Sequence, residues 1–231
     1  SAVMIGVALV CLIAILGEST GTLNRDPQLR FTAPTSGQYA ARITDTRSGG
    51  LQNYVYRLTI TAGPWIDSIY PLGGQRGMAT KFEVSGQGID SLEETLPKAT
   101  SPRIAHHFTH QGAALNPVHL ELDDVPELRE QEPNNEPAQA KPLTIGSVAN
   151  GRIERPGDVD AWLLELKKGD AVQLDVRAAR LGSPLDAVLV VSDANGKELA
   201  RGEDLPNGSP DCEVKFTAPA DGVFPVALRE R

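Results

Sequence analysis

Two cysteines in 231 residues, Cys11 and Cys212, are too few for a disulfide framework, and neither sits in a metal-binding or redox spacing. A single bridge between them stays open, and so low a count does not decide the compartment. Basic residues are in the minority, with 22 Lys+Arg against 30 Asp+Glu and a net charge of −8. A nucleic-acid binder needs a basic face to displace counterions from phosphates, so that function class is excluded. Aromatic residues are few, at 5%. No stretch reads as a helix longer than two turns, whereas 22 Gly and 17 Pro favour many turns and short strands. With 40% hydrophobic and 23% charged residues, the chain buries a core and is no disordered tail.

The charge is unevenly spread. Residues 1–120 carry 9 basic and 8 acidic side chains, and residues 121–231 carry 13 and 22. The acidic excess therefore belongs to the C-terminal half, where it repels nucleic acid and anionic membranes and attracts cations. Solubility alone is the plainer explanation.

From Ala2 to Gly17 no residue is charged. As a helix these residues would fall short of the roughly 30 Å hydrocarbon core, and no basic stretch precedes them as in a secretory signal. Two readings stand: a buried strand or strand pair, or the end of a membrane or signal segment.

An internal repeat bears on that choice. Asp26-Pro-Gln-Leu-Arg-Phe-Thr-Ala-Pro-Thr-Ser-Gly-Gln-Tyr-Ala-Ala-Arg-Ile43 aligns without a gap, 185 positions on, with Asp211-Cys-Glu-Val-Lys-Phe-Thr-Ala-Pro-Ala-Asp-Gly-Val-Phe-Pro-Val-Ala-Leu228. In each copy an alternating strand ends at proline, a glycine follows, and a second alternating strand begins, which predicts a hairpin. The same offset sets Ala2-Val-Met-Ile5 under Ala187-Val-Leu-Val190, favouring a strand at the N-terminus.

Residues 1–63 read as the end of a first β unit whose last strand is Tyr54–Thr61, rich in β-formers. Residues 64–128 read as a second, Ig-like unit, with strands at Thr80–Ser85 and Pro117–Leu122, a helical turn at Ser91–Thr95 and Trp65 in a loop. A Pro-rich acidic linker covers 129–142. Residues 143–231 form a third unit. Strands are expected near Gly151–Ile153, Ala161–Leu166, Ala171–Val176, Ala187–Val191, Glu198–Ala200, Glu213–Phe216 and Val223–Leu228, with tight hairpin turns at Lys167–Asp170 and Asp193–Gly196. Seven short strands with turns every 8–12 residues predict a β-sandwich, so the fold class is all-β, with tandem sandwich (jelly-roll or Ig-like) modules. The first residue is Ser, and the last five lie within what reads as a strand, so a fragment at both ends is expected.

The third unit resembles the bacterial pre-peptidase C-terminal domain. Glu132-Pro-Asn-Asn135, Val148-Ala-Asn-Gly-Arg-Ile153, Gly157-Asp-Val-Asp-Ala-Trp162, Leu166-Lys-Lys-Gly-Asp170, Asp193-Ala-Asn-Gly-Lys197 and Phe216-Thr-Ala-Pro-Ala-Asp-Gly222 carry the likeness. Residues 1–61 resemble the C-terminal part of the same module. The stretch from Pro71-Leu-Gly-Gly-Gln-Arg-Gly77 to Ala114-Leu-Asn-Pro-Val118 is similar to an immunoglobulin-like module of the IPT/TIG type. The resemblance implies non-catalytic sandwiches appended to exported bacterial proteins, often peptidases, that assist secretion, adhesion or polymer binding.

The resemblance also implies calcium in some members, held by acidic and Asn residues at the module start and an Asp pair before the aromatic strand. Here Glu130, Glu132, Asn134 and Asn135, with Asp158 and Asp160, supply the oxygens that calcium requires. The alternative is a solvated linker and a turn in which Asp160 caps backbone amides. His106, His107, His110 and His119 lack the Glu of a His-Glu-x-x-His helix and read as incidental. There is no Gly-x-Ser-x-Gly, and Gly73–Gly77 lacks the end of a phosphate loop. Trp162 alternates with Leu164 and Leu166 and reads as core; Trp65 is left as a candidate stacking platform.

These readings converge on non-catalytic binding or spacer modules of a larger exported bacterial protein. It would act outside the cell, in the periplasm or at the cell surface, on an extracellular polymer or protein ligand. Two alternatives stay open: a membrane-anchored envelope protein, with residues 2–17 as the anchor, and a fragment of a secreted peptidase.

Overall fold

Alternating apolar residues punctuated by Gly and Pro give short strands throughout the computed structural model, which describes residues 2–9, 12–20, 27, 29–89 and 91–231. The fold is all-β, and the one helical element among the described residues is a single 3-10 turn, Ala179–Leu181. Contacts divide the chain into two units, 1–61 and 62–231.

The first unit holds β1 (Ala2–Leu9), β2 (Leu12–Thr20) and β3 (Tyr39–Thr44) in the order β2-β1-β3, antiparallel throughout. Residues 2–9 and 12–20 are thus strands, and no helix among the described residues is long and apolar enough to cross a membrane. Tyr54–Thr61, expected as a strand, is not one. No strand among the described residues pairs with it, and Val55 and Ile60 are 84% and 80% exposed.

The second unit has two hydrophobic cores. The first belongs to β4 (Trp65–Tyr70), β5 (Gly73–Gln75), β6 (Ala79–Gln87), β7 (Ser91–Thr95), β8 (Arg103–His106), β9 (Thr109–His110), β10 (Ala113–Ala114) and β11 (Val118–Asp123). Sheets β4-β6-β7 and β5-β11-β8 enclose Phe82, Phe108, Leu96, Leu120 and Leu122, with Phe82 and Phe108 packed edge to face. Two expectations are corrected. Ser91–Thr95 is a strand, because Leu92 packs inward opposite Phe82, and Trp65 opens β4.

The second core is built by β12 (Glu127–Arg129), β13 (Lys141–Pro142), β14 (Val148–Asn150), β15 (Val159–Leu166), β16 (Ala171–Asp175), β17 (Ala187–Ser192), β18 (Glu198–Gly202), β19 (Glu213–Thr217) and β20 (Gly222–Glu230). A five-stranded sheet, β13-β15-β20-β17-β18, packs Trp162, Leu164, Leu166, Leu189 and Val226 against Val214 and Phe216 of the pair β16-β19. Each large side chain removed from water contributes about 1.5–3 kcal/mol. The residues expected as linker carry the last residue of β12 and all of β13, and the strand expected at Gly151–Ile153 is instead Val148–Asn150, parallel to β12.

The repeat is structural, but it is not a hairpin. β19 pairs with β16 and β20 with β15 and β17, so the chain crosses from one sheet to the other after Phe-Thr-Ala-Pro219. That crossing lets Phe216 and Phe224 meet edge to face across the core, 5.2 Å apart. Phe31 and Tyr39, at the equivalent positions, meet the same way at 5.1 Å. The order β2-β1-β3 repeats β18-β17-β20, with registers one residue apart and a bulge in both β1–β2 and β17–β18. Asp26 and Gln28 of the first copy lie outside the described residues. Lys167–Asp170 is likewise a tight turn between sheets, since β15 and β16 do not pair, whereas Asp193–Gly196 does join the antiparallel pair β17–β18.

Asp211, fully buried, explains the acid that opens the second copy. The backbone amides of Ala178, Ala179 and Arg180 donate to its carboxylate at 2.8, 2.7 and 3.2 Å, and Arg180 Nε donates at 2.6 Å. Neighbouring Cys212 is a free, buried thiol, and Cys11 lies outside the described residues.

The two cores of the second unit meet through charged and aromatic groups. The Tyr70 ring lies beneath the guanidinium groups of Arg129 and Arg152, at 5.5 and 4.5 Å, and its hydroxyl donates to Asn150 O at 3.1 Å. Glu83 pairs with Arg152 at 3.1 Å and with Arg129 at 3.9 Å. Further along, Arg177 of the second core pairs with Glu121 of the first at 2.7 Å.

Candidate metal centre

The end of β12 and the start of β15 bring one acidic cluster together. Glu130 leaves β12 directly after Arg129, with its amide donating to Asn150 O at 2.9 Å. Residues 130–134 then run back along β15, held where the Ala161 amide donates to Asn134 O at 3.0 Å. Asp160 is the second residue of β15, and strand alternation turns its side chain inward.

Among the described residues, Glu130, Glu132 and Asp160 have ligand oxygens all within 4.8 Å of one another. Asp160 is 1% exposed, and neither of its carboxylate oxygens has a hydrogen-bond donor. Asn134 lies alongside, 3% exposed. Its amide nitrogen donates to Glu130 Oε2 at 3.3 Å, its backbone N–H donates to Glu132 Oε2 at 3.2 Å, and its Oδ1 has no partner. Two carboxylates facing each other can hydrogen-bond only if one holds a proton. Burial, followed by the charge of Glu130, accordingly pushes the Asp160 carboxyl up to about 8. Burial also raises Glu130, against hydrogen bonds that favour its charged form.

Gly151 forms the floor of the cluster. A Cβ there would lie 2.5 Å from Asp160 Oδ2 and 3.0 Å from Glu130 Oε2, so any side chain would fill the space between the carboxylates. This residue was not singled out from the sequence as part of a site; its position in Val148-Ala-Asn-Gly-Arg-Ile153 was the available signal.

The other two candidate residues are engaged elsewhere. Asp158 Oδ2 accepts from the Glu154 amide at 2.8 Å, and Asn135 Nδ2 donates to Asp158 Oδ1 at 3.1 Å. The amide-capping role considered for Asp160 thus falls to Asp158, and Asp160 faces the cluster.

The ligand atoms are all oxygen, three buried acceptor oxygens lack donors, and the carboxylates repel one another. That chemistry fits a hard divalent cation such as calcium, which takes carboxylate and carbonyl oxygens without a preferred rigid geometry. The histidines do not converge: His106 Nε2 meets Glu94 at 2.9 Å, and His107 Nδ1 meets Leu115 O at 3.1 Å. Trp162 is core, 7% exposed, and Trp65 is half-buried on β4.

No known protein-family model matches the chain. The chain is 30% identical over 209 residues to a probable subtilase-type serine protease of Deinococcus radiodurans. The match takes in 86% of this chain and 23% of that protein, so the chain spans about a quarter of the length of the curated relative it matches.

Proposed function

We propose that the chain is a non-catalytic accessory region of an exported, subtilase-type protease, braced by calcium. The buried Asp160 carboxylate carries this reading: it faces Glu130 and Glu132 with no donor on either oxygen, an arrangement suited to holding a cation where strands converge. Glu130, Glu132, Asp160 and the Asn134 carbonyl would hold the ion, and the ion would supply the positive charge the cluster lacks. The likeness to a subtilase-type protease supports the place of the region within a larger peptidase, and the sandwich modules suit spacing or polymer binding outside the cell.

Two measurements test this reading. Melting of the chain in millimolar calcium against EDTA is expected to show a higher Tm with calcium, and equal values would remove the cation. Incubation with casein is expected to release no peptide beyond a mock preparation, and hydrolysis that co-purifies with the chain would overturn the non-catalytic assignment.

A further inference from the structure

The cation cluster and the junction between the two cores share their backbone. Arg129 precedes Glu130, and Arg152 follows Gly151, the residue under Asp160. Both arginines lie over the Tyr70 ring, Tyr70 closes β4, and its hydroxyl holds the last carbonyl of β14. Arg129 also donates to Lys81 O, and Glu83 of β6, paired in register with Tyr70, reaches both guanidinium groups. One face of the first core therefore grips the two segments that carry Glu130 and the floor of the cluster.

The local charge indicates what completes this arrangement. With every carboxylate ionised, as ligation of a cation requires, Arg129 and Arg152 stand with Glu83, Glu130, Glu132 and Asp160 at a formal net charge of −2, which one divalent cation cancels. With the ion absent, no positive charge holds Glu130 and Asp160 together across the Gly151 floor. A cation that draws Glu130 toward Asp160 would fix the point where β12 ends, and with it the adjoining Arg129.

We infer that occupancy of the Glu130–Glu132–Asp160 cluster sets the angle between the two cores of residues 62–231, with the Arg129–Tyr70–Arg152 stack transmitting it. The inference rests on the proposed cation site and adds what that site controls. A cation that favours the docked arrangement is in turn bound more tightly by it, because coupling is reciprocal. Tyr70 supplies no ligand atom, yet its loss is expected to weaken calcium binding by roughly 5-fold or more, the usual lower range of such coupling.

The test uses the full chain with spin labels at Lys98→Cys and Lys197→Cys, exposed positions on the two cores, and Cys11→Ser to keep labelling specific. Inter-label distances are measured in EDTA and in calcium, and calcium binding is measured separately by calorimetry. The expected result is a broad distribution in EDTA that collapses to one narrow peak with calcium. Tyr70→Ala is expected to stay broad in both and to bind calcium more weakly. Tyr70→Phe, which keeps the ring beneath the guanidinium groups, is expected to show a smaller loss of both. If calcium binds but the wild-type distribution does not change, the joint is refuted and the cation site stands. If calcium does not bind, both fall.

Discussion

Replacing Asp160 by asparagine separates the two roles assigned to its carboxylate. In the calcium-free protein that carboxylate is an uncompensated buried acid, whose oxygens lie no more than 4.8 Å from those of Glu130 and Glu132. Two unit charges at that distance repel by roughly 3–4 kcal/mol at an effective dielectric constant of about 20. Glu132 is exposed and screened, and Asp160 relieves part of the repulsion by taking a proton, so about 1–3 kcal/mol is expected to be recovered by Asp160→Asn. At about 2–4 °C per kcal/mol for a domain of this size, the variant should melt roughly 2–12 °C above wild type in EDTA at pH 7.5. At pH 4.5 the same carboxyl in the unfolded chain is close to its own ordinary value, so folding no longer has to take up a proton against it, and the advantage should largely vanish. In calcium the order should reverse, because a ligand at 100 times its Kd stabilises wild type by about 2.7 kcal/mol while the variant has lost a charged donor. Scanning calorimetry across these four conditions is the assay. A variant that melts below wild type in EDTA at pH 7.5, or that keeps the full calcium shift, would refute the reasoning.

Other outcomes follow from the same geometry. Wild-type stability in EDTA should fall as pH rises from about 4 to about 8, because the folded state holds the Asp160 proton more tightly than the unfolded state and that contribution is lost above the raised value; urea midpoints at several pH values measure this, and calcium should flatten the slope. Gly151→Ala should weaken calcium binding at least as much as Asp160→Asn, since its Cβ would occupy the space between two ligands, and calorimetric titration checks it. Asp211→Ala should destabilise the second core by about 3–5 kcal/mol, leaving three amides and Arg180 without their acceptor, as read from urea unfolding. Cys212, buried and pushed up to about 11, should resist iodoacetamide at pH 8 until the chain is unfolded, as followed on its peptide by mass spectrometry.

The all-β architecture was legible because period-two alternation and turn residues act locally. Val214 and Phe216, or Trp162, Leu164 and Leu166, announce their buried face regardless of partner. Strand pairing was not legible to the same degree. Phe-Thr-Ala-Pro-Ala-Asp-Gly222 reads as a hairpin turn, but a Pro/Gly turn can equally carry the chain to the opposite sheet, and only the meeting of Phe216 with Phe224 decides. Tyr54–Thr61 has strand composition, but among the described residues no strand pairs with it. The candidate site was legible as a set of oxygen-bearing residues on two segments. Which carboxylate turns inward depends on the phase of β15, so Asp158 and Asp160, two apart in sequence, divide between a turn cap and the cluster. Gly151 is informative only through the space it leaves.

Calcium titration of the chelator-treated chain, followed by calorimetry in two buffers of different ionisation enthalpy, addresses the cluster itself. The account predicts one ion bound at saturation, with close to one proton released near pH 7, where Asp160 is still largely protonated, and almost none well above pH 8. Absence of saturable heat at millimolar calcium, or binding without any buffer dependence at pH 7, would contradict it.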